Sequence, residues 1–367
     1  MLSYRCRTRP AAQQVLKQLR DITILIISPE PWQHNFISKH HYAIHLAQRG
    51  NRVFFLNPAA ATTTTHSSGH QNLTIVDYNP FFRGLNRLPS SLANLLWKWE
   101  ANRVRKVTGP IDLVWTFDPY RFQNLKHFAA TTLIYFAADF HKNRALENML
   151  ADHADLVLAP SQALLDGIDT ASKKIKINHA VARSFFAEAR TQSLPGNNPI
   201  KIGYVGNLES RYLHKQLLMR VIHENPNCDF IFAGAEDGSY ALDLRKFTHV
   251  FFKGLVPYDQ LPVFLKSCDI LLLCYDTNQF RMEASNAHKV MEYLSAGKAI
   301  VSTRLAEYES LPDLVIMPVN NEDLPRLLSG VMTHLDHHNS PSAQQRRMTF
   351  AMNNTYESQI KLIESLL

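Results

Sequence analysis

Short apolar runs alternate with amphipathic helical stretches along nearly the whole chain of 367 residues. The first run, Asp21–Ser28, is almost continuously apolar and ends at a Pro-Glu-Pro turn, as expected of a central strand in a parallel sheet. A helix pattern follows at Ile37–Arg49, closed by Gly50, before a second strand at Arg52–Leu56. Further strands of this first series are predicted at Leu73–Tyr78, Asp112–Thr116, Thr132–Phe136, Leu156–Ala159 and Lys174–Ile177.

A second alternating series begins after a polar segment rich in turn formers, Thr191–Pro199, which is the predicted linker. Its predicted strands are Ile200–Val205, Asp229–Ala233, Val250–Lys253, Ile270–Cys274 and Ala299–Thr303, with helices around His214–Glu224 and at Tyr258–Lys266. Strand–helix alternation implies right-handed crossovers and open parallel sheets. The sequence therefore predicts an α/β protein with two Rossmann-like domains whose parallel sheets face a central cleft.

Bulk properties favour a cytoplasmic protein. The four cysteines lack a paired C-x-x-C pattern, which is typical of reduced thiols, and no apolar run is long enough to span a membrane. The basic first twenty residues lack the apolar core of a secretory signal. The net charge of +7 arises in the first half of the chain, where it could attract anionic lipid, a phosphorylated substrate or nucleic acid. No nucleic-acid-binding motif accompanies this charge, and no G-x-G-x-x-G follows the first strand, so nucleic acid and NAD are not expected as ligands.

Residues 283–303 (EASNAHKVMEYLSAGKAIVST) predict a loop, a short helix, a glycine stop and a buried strand. Asn286 or Ser285 is the expected N-cap, and Gly297 is placed to end the helix in a left-handed conformation. These positions would leave the first turn of the helix polar and its N–H groups available to a ligand.

Lys289 and Glu292 are three residues apart and project from one face of this helix. A helix N-terminus with a lysine suits a phosphate, and Glu292 could accept hydrogen bonds from the two vicinal hydroxyls of a ribose. The pattern therefore indicates a site for a nucleoside diphosphate. The alternative is a solvated Lys–Glu pair on an ordinary amphipathic helix.

The run KVMEYLSAGKAIVST resembles the K-x-x-E-Y-L-A-x-G-K-P-V-V-S-T segment of GT-B glycosyltransferases, especially bacterial enzymes that build teichuronic acid and exopolysaccharides. In that family the matching glutamate, here Glu292, binds the ribose of the sugar nucleotide, and the matching lysine, here Lys289, lies near the diphosphate. Many members carry a second glutamate eight residues earlier, where this chain has Ala284. The resemblance implies an N-terminal acceptor-binding domain at 1–190, a nucleotide-sugar-binding domain at 200–345 and a C-terminal helix at 346–367 that packs back toward the first domain.

The resemblance continues in IGYVGNLESR (Ile202–Arg211), which looks like the glycine turn after the first strand of the donor domain. Gly206 would let the backbone approach a phosphate, Asn207 could donate to it, and Arg211 or Lys215 could neutralise it. A tight turn with solvated basic side chains explains the same residues. Phe251–Tyr275 is similar to the segment that holds the nucleotide base in this family, and there the expected contacts are Val256 and Tyr258. Their alternative roles are a helix cap and core contacts.

Catalytic groups are expected in the first half, because sugar transfer with inversion needs a base for the acceptor hydroxyl. Asp139 follows a predicted strand end, where ligands bind in parallel sheets, and it resembles an acidic position in related polysaccharide enzymes. His141 is a second candidate base or a partner of Asp139. Asp118 follows another strand and is the third candidate, although Asp-Pro is also a common turn former.

The loop after the first strand is predicted to bind the acceptor. Trp32 could stack on a sugar or on a lipid-linked acceptor, and Gln33, His34 and Asn35 offer hydrogen bonds. A surface loop with a helix cap is the alternative. His179 stands where many relatives have a His-Gly-Val, but Ala180 replaces the glycine. No histidine spacing indicates a ligand set, so we expect no metal and no cofactor other than the donor.

Aromatic and basic side chains are interleaved in residues 78–107, which is typical of a helix at an anionic bilayer surface. The expected membrane contacts are Phe81, Phe82, Arg83, Arg87, Trp97, Trp99, Arg103 and Arg105. The alternative is a helix whose apolar face packs on the domain core.

Together these features predict a metal-independent glycosyltransferase, peripheral on the cytoplasmic face of the cell membrane. It would transfer a sugar from a UDP-sugar donor to a lipid-linked or polysaccharide acceptor. The alternatives are a sugar-nucleotide epimerase of the same fold and a non-catalytic nucleotide-sugar-binding scaffold.

Overall fold

The computed structural model describes residues 18–34, 36–81, 84–188 and 190–367, which form two compact units. The first unit contains the described residues up to Ala159 together with Leu164–Lys176 and Ile360–Leu367. The second contains Pro160–Ala163 and Ile177–Gln359. The division after Lys176 precedes the linker that the sequence predicts.

The first unit is built on a sheet of parallel strands. Its described strands are β1 (Thr23–Ile27), β2 (Arg52–Ala59), β3 (Thr64–Ser67), β4 (Leu73–Tyr78), β5 (Leu113–Thr116), β6 (Thr132–Phe136), β7 (Leu156–Ala159) and β8 (Lys173–Lys176). Their order in the sheet is β3-β4-β2-β1-β5-β6-β7-β8, and β3 pairs antiparallel with β4 at the edge. Without this edge strand the order is that of a doubly wound Rossmann sheet.

Helices cover the sheet and bury its apolar side chains. Helices α1 (Ser38–Gln48), α2 (Ser90–Thr108), α3 (Arg144–Ala151) and α4 (Gln162–Asp166) follow β1, β4, β6 and β7 in the chain. The core beneath α2 and α3 includes Leu25, Val114 and Tyr135 from three neighbouring strands. Complete burial of side chains of this size stabilises the fold by about 1.5–3 kcal/mol each.

The second unit repeats the design on a smaller sheet. Its described strands are β9 (Lys201–Val205), β10 (Asp229–Ala233), β11 (Val250–Gly254), β12 (Ile270–Leu273) and β13 (Ala299–Ser302), in the order β11-β10-β9-β12-β13. Its helices are α5 (Lys215–Glu224), α6 (Ser239–Leu244), α7 (Leu261–Ser267), α8 (Lys289–Ser295), α9 (Leu324–Thr333), α10 (Leu335–His338), α11 (Pro341–Met352) and α12 (Tyr356–Leu366), whose last residues belong to the first unit. The parallel pairings give a Rossmann order of strands, so the predicted α/β class is confirmed.

Most predicted strands agree with the structure to within two or three residues at each end, and two features differ. The polar, exposed strand β3 was not predicted, because its threonines show no apolar alternation. The last helical stretch divides into α11 and α12 at Thr355, whose hydroxyl accepts from the N–H of Ser358 at 3.2 Å. In the first unit, Glu364 near the C-terminus of α12 accepts from the N–H of Leu19 at 2.7 Å.

Candidate functional site

The turn after β9 brings two glycine backbones together and leaves space above one of them. Gly206 has a φ of +149°, a conformation that favours glycine, and its N–H donates to the carbonyl of Ala233 at 2.8 Å. A Cβ on Gly234 would lie 2.0 Å from the carbonyl oxygen of Gly206, so the close approach requires glycine there. A Cβ on Gly206 would lie 2.2 Å from Nζ of Lys289. The turn predicted within Ile202–Arg211 therefore leaves room for this lysine.

Lys289 begins α8, and its side chain reaches back to the end of β9. Nζ donates to the hydroxyl of Tyr275 at 3.3 Å and lies 5.6 Å and 5.8 Å from the ring centroids of Tyr204 and Tyr275. Burial acts to lower the pKa of Lys289, but the neighbouring phenols and the Glu292 carboxylate outweigh it, so the pKa lies above its usual value. The ammonium is therefore charged at neutral pH and suited to bind a phosphate oxygen.

Glu292 is half-buried one turn further along α8, on the same face as Lys289. Burial raises the pKa of Glu292 to about 7, and the positive charge of Lys289 acts in the opposite direction. Burial also raises the pKa of Tyr258, with a further contribution from the charge of Glu292, so these two side chains are neighbours. The carboxylate of Glu292 makes no hydrogen bond within the described residues and can accept one from a ligand hydroxyl.

The segment before α8 does not cap the helix as predicted. The N-cap is His288, without a side-chain cap, so the capping roles expected for Asn286 and Ser285 are wrong. Ser285 donates to the carbonyl of Met282 at 2.7 Å, and Asn286 donates to that of Pro160 at 2.7 Å. The hydroxyl of Ser285 and the side-chain amide of Asn286 therefore stabilise the loop and do not cap α8. The C-terminal prediction is confirmed, since Gly297 follows α8 with a φ of +75°.

His179 lies against this loop, with Nε2 3.1 Å from the carbonyl oxygen of Asn286 and its ring 6.2 Å from that of His288. Val256 is half-buried in the connection between β11 and Tyr258, whose ring packs 5.2 Å from Phe185. Of the two residues predicted to contact the base, Tyr258 lies near Glu292, and Val256 precedes Tyr258 by two residues in the chain.

The remaining polar residues of the β9 turn are engaged locally. The side-chain oxygen of Asn207 accepts from the N–H of Glu209 at 2.8 Å, and the carboxylate of Glu209 pairs with Lys215 at 2.5 Å. Arg211 is exposed and donates to the hydroxyl of its neighbour Tyr212 at 2.6 Å. Lys289 is consequently the basic side chain that the described structure places against Gly206.

In the first unit the candidate catalytic groups lie beyond the carboxyl ends of β5 and β6. Asp139 is exposed and His141 is half-buried, with its ring edge-on to Tyr120 at 5.4 Å. Burial lowers the pKa of His141, and the nearby carboxylates of Glu147, Asp139 and Asp118 act in the opposite direction. Asp139 and His141 are thus close enough to interact electrostatically.

Asp118 holds several loops together. One of its oxygens accepts from the N–H of Tyr120 at 2.8 Å and the other from Nε of Arg121 at 2.6 Å. Arg121 also donates to the carbonyls of Asn57 at 2.8 Å and Ser28 at 2.5 Å. Since both carboxylate oxygens are engaged, Asp118 joins the ends of β1, β2 and β5 and has the geometry of a structural ion pair.

Glu147, which no sequence motif marks, is fully buried on α3. It accepts from the hydroxyl of Tyr135 at 2.7 Å and from Arg144 at 2.5 Å, and its charge acts on His141. The available signal is a glutamate among the apolar residues of the segment that forms α3, because a buried carboxylate needs partners.

The predicted acceptor loop is partly buried. Trp32 packs among Phe36, His40 and Phe55 at ring-centroid distances of 4.9–5.5 Å, and its 7% exposure leaves no free face for stacking on a sugar. Gln33 and His34 are exposed. Asn35 lies outside the described residues.

Helix α2 has one face in the core and another in solvent. Trp97 is 6% exposed within the core of the first unit, so its predicted membrane contact is wrong. Trp99 is 47% exposed, packs edge-on against Phe81 at 4.7 Å and lies under the guanidinium of Arg103 at 5.8 Å. Leu92 and Leu95 continue this exposed apolar face.

Basic residues surround the exposed face of α2. Arg87 is exposed before the helix, Arg105 is half-buried near its end, and Phe82 and Arg83 lie outside the described residues. No helix in the part of the chain described here is long and apolar enough to cross a bilayer.

Comparisons with known proteins identify the fold. Residues 185–321 match the family model described as glycosyl transferases group 1. No curated protein matches the chain at a significant level. Similar solved structures include a sucrose-phosphate synthase from Thermosynechococcus elongatus, with 12% identity and a TM-score of 0.68 over 94% of this chain and 98% of that one. A glycosyltransferase from Rickettsia africae has 13% identity and a TM-score of 0.67 over 94% and 97%. HepE from Anabaena, in complex with UDP, has 16% identity and a TM-score of 0.65 over 94% and 100%.

The predicted GT-B fold is confirmed, and Gly206, Lys289 and Glu292 lie in the segment that matches the model of glycosyl transferases group 1. Within the described residues, no group of three or more His, Cys, Asp or Glu side chains is arranged to hold a metal ion.

Proposed function

We propose that the protein transfers a sugar from a UDP-sugar to a lipid-linked or polysaccharide acceptor in the synthesis of a cell-surface polysaccharide. The observation that carries this proposal is the position of the Lys289 ammonium over the Gly206 turn, with Glu292 next to it on the same helix face. Lys289 would bind the diphosphate and Glu292 the ribose, with Tyr258 and Val256 near the base. UDP as the nucleotide is supported by the similar structure of HepE, which was solved with UDP.

In this proposal Asp139 is the base that removes the proton from the acceptor hydroxyl as the sugar is transferred. Asp139 is exposed to solvent and neighbours His141, which would orient it or share its charge. Lys289 would stabilise the negative charge that develops on the departing diphosphate. Glu147 and Asp118 would act through their buried contacts, since each is already bonded to an arginine of the first unit.

The acceptor would bind to the first unit, where Gln33 and His34 are exposed beside the carboxyl end of β1. The exposed face of α2, with Leu95 and Trp99, would rest on the cytoplasmic surface of an anionic membrane, close to a lipid-linked acceptor. Arg103 beside Trp99 supplies charge of the matching sign.

The experiment is a thermal-shift panel of UDP-, GDP-, ADP- and CMP-sugars on the wild type and on Glu292→Ala, followed by product analysis with an acceptor extract. A ligand at a hundredfold excess over its Kd stabilises the folded state by about 2.7 kcal/mol. We expect a shift with UDP-sugars that Glu292→Ala loses, and consumption of both donor and acceptor. Rearrangement of the donor alone would identify an epimerase, and binding without turnover a scaffold. No shift with any sugar nucleotide would overturn the proposal.

A further inference from the structure

A buried hydroxyl without a partner faces the position of Lys289. Tyr204 lies on β9 and is 1% exposed, and its hydroxyl makes no hydrogen bond to any described residue. This hydroxyl is 3.3 Å from the point that a Cβ would occupy on Gly206, and Nζ of Lys289 is 2.2 Å from the same point. A buried donor that lacks an acceptor destabilises the folded state by about 1–3 kcal/mol. A bound ligand that accepts a hydrogen bond from this hydroxyl would remove that penalty.

Tyr275 supplies the second hydroxyl of the cluster and follows the end of β12. Its N–H donates to the hydroxyl of Thr303 at 2.9 Å, which fixes the backbone, and its own hydroxyl accepts from Lys289 at 3.3 Å. The ammonium thus lies near both phenol rings and occupies the space above Gly206. Strand β9, which carries Tyr204, is adjacent in the sheet to β12, which ends two residues before Tyr275, so both rings lie near the carboxyl ends of neighbouring strands.

We propose that Tyr204 and Tyr275 complete a phosphate-binding triad with Lys289. The hydroxyl of Tyr204 donates to a diphosphate oxygen of the donor, and Tyr275 positions the ammonium that binds the same group. This inference rests on the proposed function, because it assigns two further residues to the donor site. Position 206 must then be glycine, since a side chain there would occupy the space beside the hydroxyl of Tyr204 and the ammonium of Lys289.

The test uses Tyr204→Phe and Tyr275→Phe, which keep both rings and remove one oxygen each. Calorimetry would measure the Kd of UDP and of uridine for each variant, and urea denaturation the free energy of unfolding. We expect UDP to bind about tenfold more weakly or worse, the equivalent of losing one hydrogen bond to a charged group, while uridine binds as before. The free energy of unfolding of Tyr204→Phe without ligand should not fall, because the lost hydroxyl had no partner.

The matched control is Tyr240→Phe in the same unit. The hydroxyl of Tyr240 donates to the carbonyl of Lys215 at 2.6 Å, so its removal should lower stability and leave the Kd of UDP unchanged.

If Tyr204→Phe and Tyr275→Phe bind UDP as tightly as the wild type, the triad is wrong and the donor site stands. If UDP and uridine weaken equally, the tyrosines act only on the fold of the pocket and the triad is again wrong. If the wild type does not bind UDP, both the triad and the proposed function fail. Tyr275→Phe decides the question alone if Tyr204→Phe does not fold.

Discussion

The ammonium nitrogen of Lys289 lies 2.2 Å from the point that a Cβ would occupy on Gly206. An alanine at position 206 and the observed lysine side chain therefore cannot occupy the same space, and the φ of +149° adds backbone strain. We expect Gly206→Ala to displace the ammonium and to weaken UDP binding about tenfold or more. Calorimetric titration with UDP measures this effect.

Gly330→Ala is the control for Gly206→Ala. Gly330 lies within α9, and a Cβ there would meet no heavy atom within 4 Å. Alanine should raise the free energy of unfolding by about 0.5–1 kcal/mol, because it restricts the unfolded chain and favours the helix. Unchanged UDP affinity in Gly206→Ala, with normal folding, would show that Lys289 does not act through this turn.

The raised pKa of Glu292 makes both stability and donor binding depend on pH. Its pKa rises from 4.5 to about 7 on folding, so the folded state holds the proton more tightly than the unfolded state. The free energy of unfolding should therefore fall as pH rises from about 4.5 to 7, by up to about 3 kcal/mol relative to Glu292→Gln. Urea denaturation of both proteins across this range measures the difference.

Binding of the ribose should show the opposite dependence. An ionised carboxylate accepts two hydroxyl hydrogen bonds, so UDP affinity of the wild type should rise through about pH 7 more steeply than that of Glu292→Gln. If UDP affinity depends on pH in the same way in the wild type and in Glu292→Gln, Glu292 does not bind the ribose.

The positions of the strands along the chain and of Gly297 could be predicted from the sequence, because both depend on local pattern, namely apolar runs and a glycine after a helix. The surroundings of the Lys289 ammonium could not be predicted, because Tyr204 and Tyr275 come together only when β9 and β12 pair. Local preference favours Asn286 as a helix cap, but its side chain instead donates to the carbonyl of Pro160, which is distant in the sequence.

The burial of Trp97 follows from the helical period of α2. Trp97 and Trp99 are two residues apart in α2, which separates them by about 200° around a helix. Both rings therefore cannot lie on one exposed face, and the helical period alone assigns one of them to the core.

Asp139→Asn should strongly reduce the rate of sugar transfer without affecting stability or donor binding. The side chain is exposed, so the amide costs the fold little, but it cannot accept the proton of the acceptor hydroxyl. A loss of turnover by a factor of about 10²–10⁴ is expected for a general base. Turnover with UDP-sugar and acceptor, measured beside the UDP Kd, tests this. Retention of most turnover would move the role of base to His141, for which His141→Gln is the matching variant.

Asp118→Asn should have the opposite profile, with a loss of stability. The carboxylate is 5% exposed and pairs with Arg121, whose guanidinium would be left without its counter-charge among buried carbonyls. Removal of one partner of a buried ion pair costs about 3–5 kcal/mol. Urea denaturation should detect this fall, while the turnover of the protein that remains folded stays close to wild type. A stable variant without turnover would instead make Asp118 part of the catalytic site.

The exposed face of α2 predicts a membrane affinity that depends on single side chains. Leu95 is 63% exposed beside Trp99, so Leu95→Glu should fold normally, yet it places a negative charge where an anionic bilayer would lie. The apolar contribution of a leucine, about 1.5–3 kcal/mol, corresponds to a loss of binding of about tenfold or more. Co-sedimentation with vesicles of phosphatidylglycerol and phosphatidylcholine measures this loss of binding, with pure phosphatidylcholine as the neutral surface.

Leu242→Glu on α6 is the control, since Leu242 is equally exposed in the second unit and its substitution should leave vesicle binding unchanged. Equal binding by Leu95→Glu, Leu242→Glu and the wild type would show that α2 does not contact the membrane.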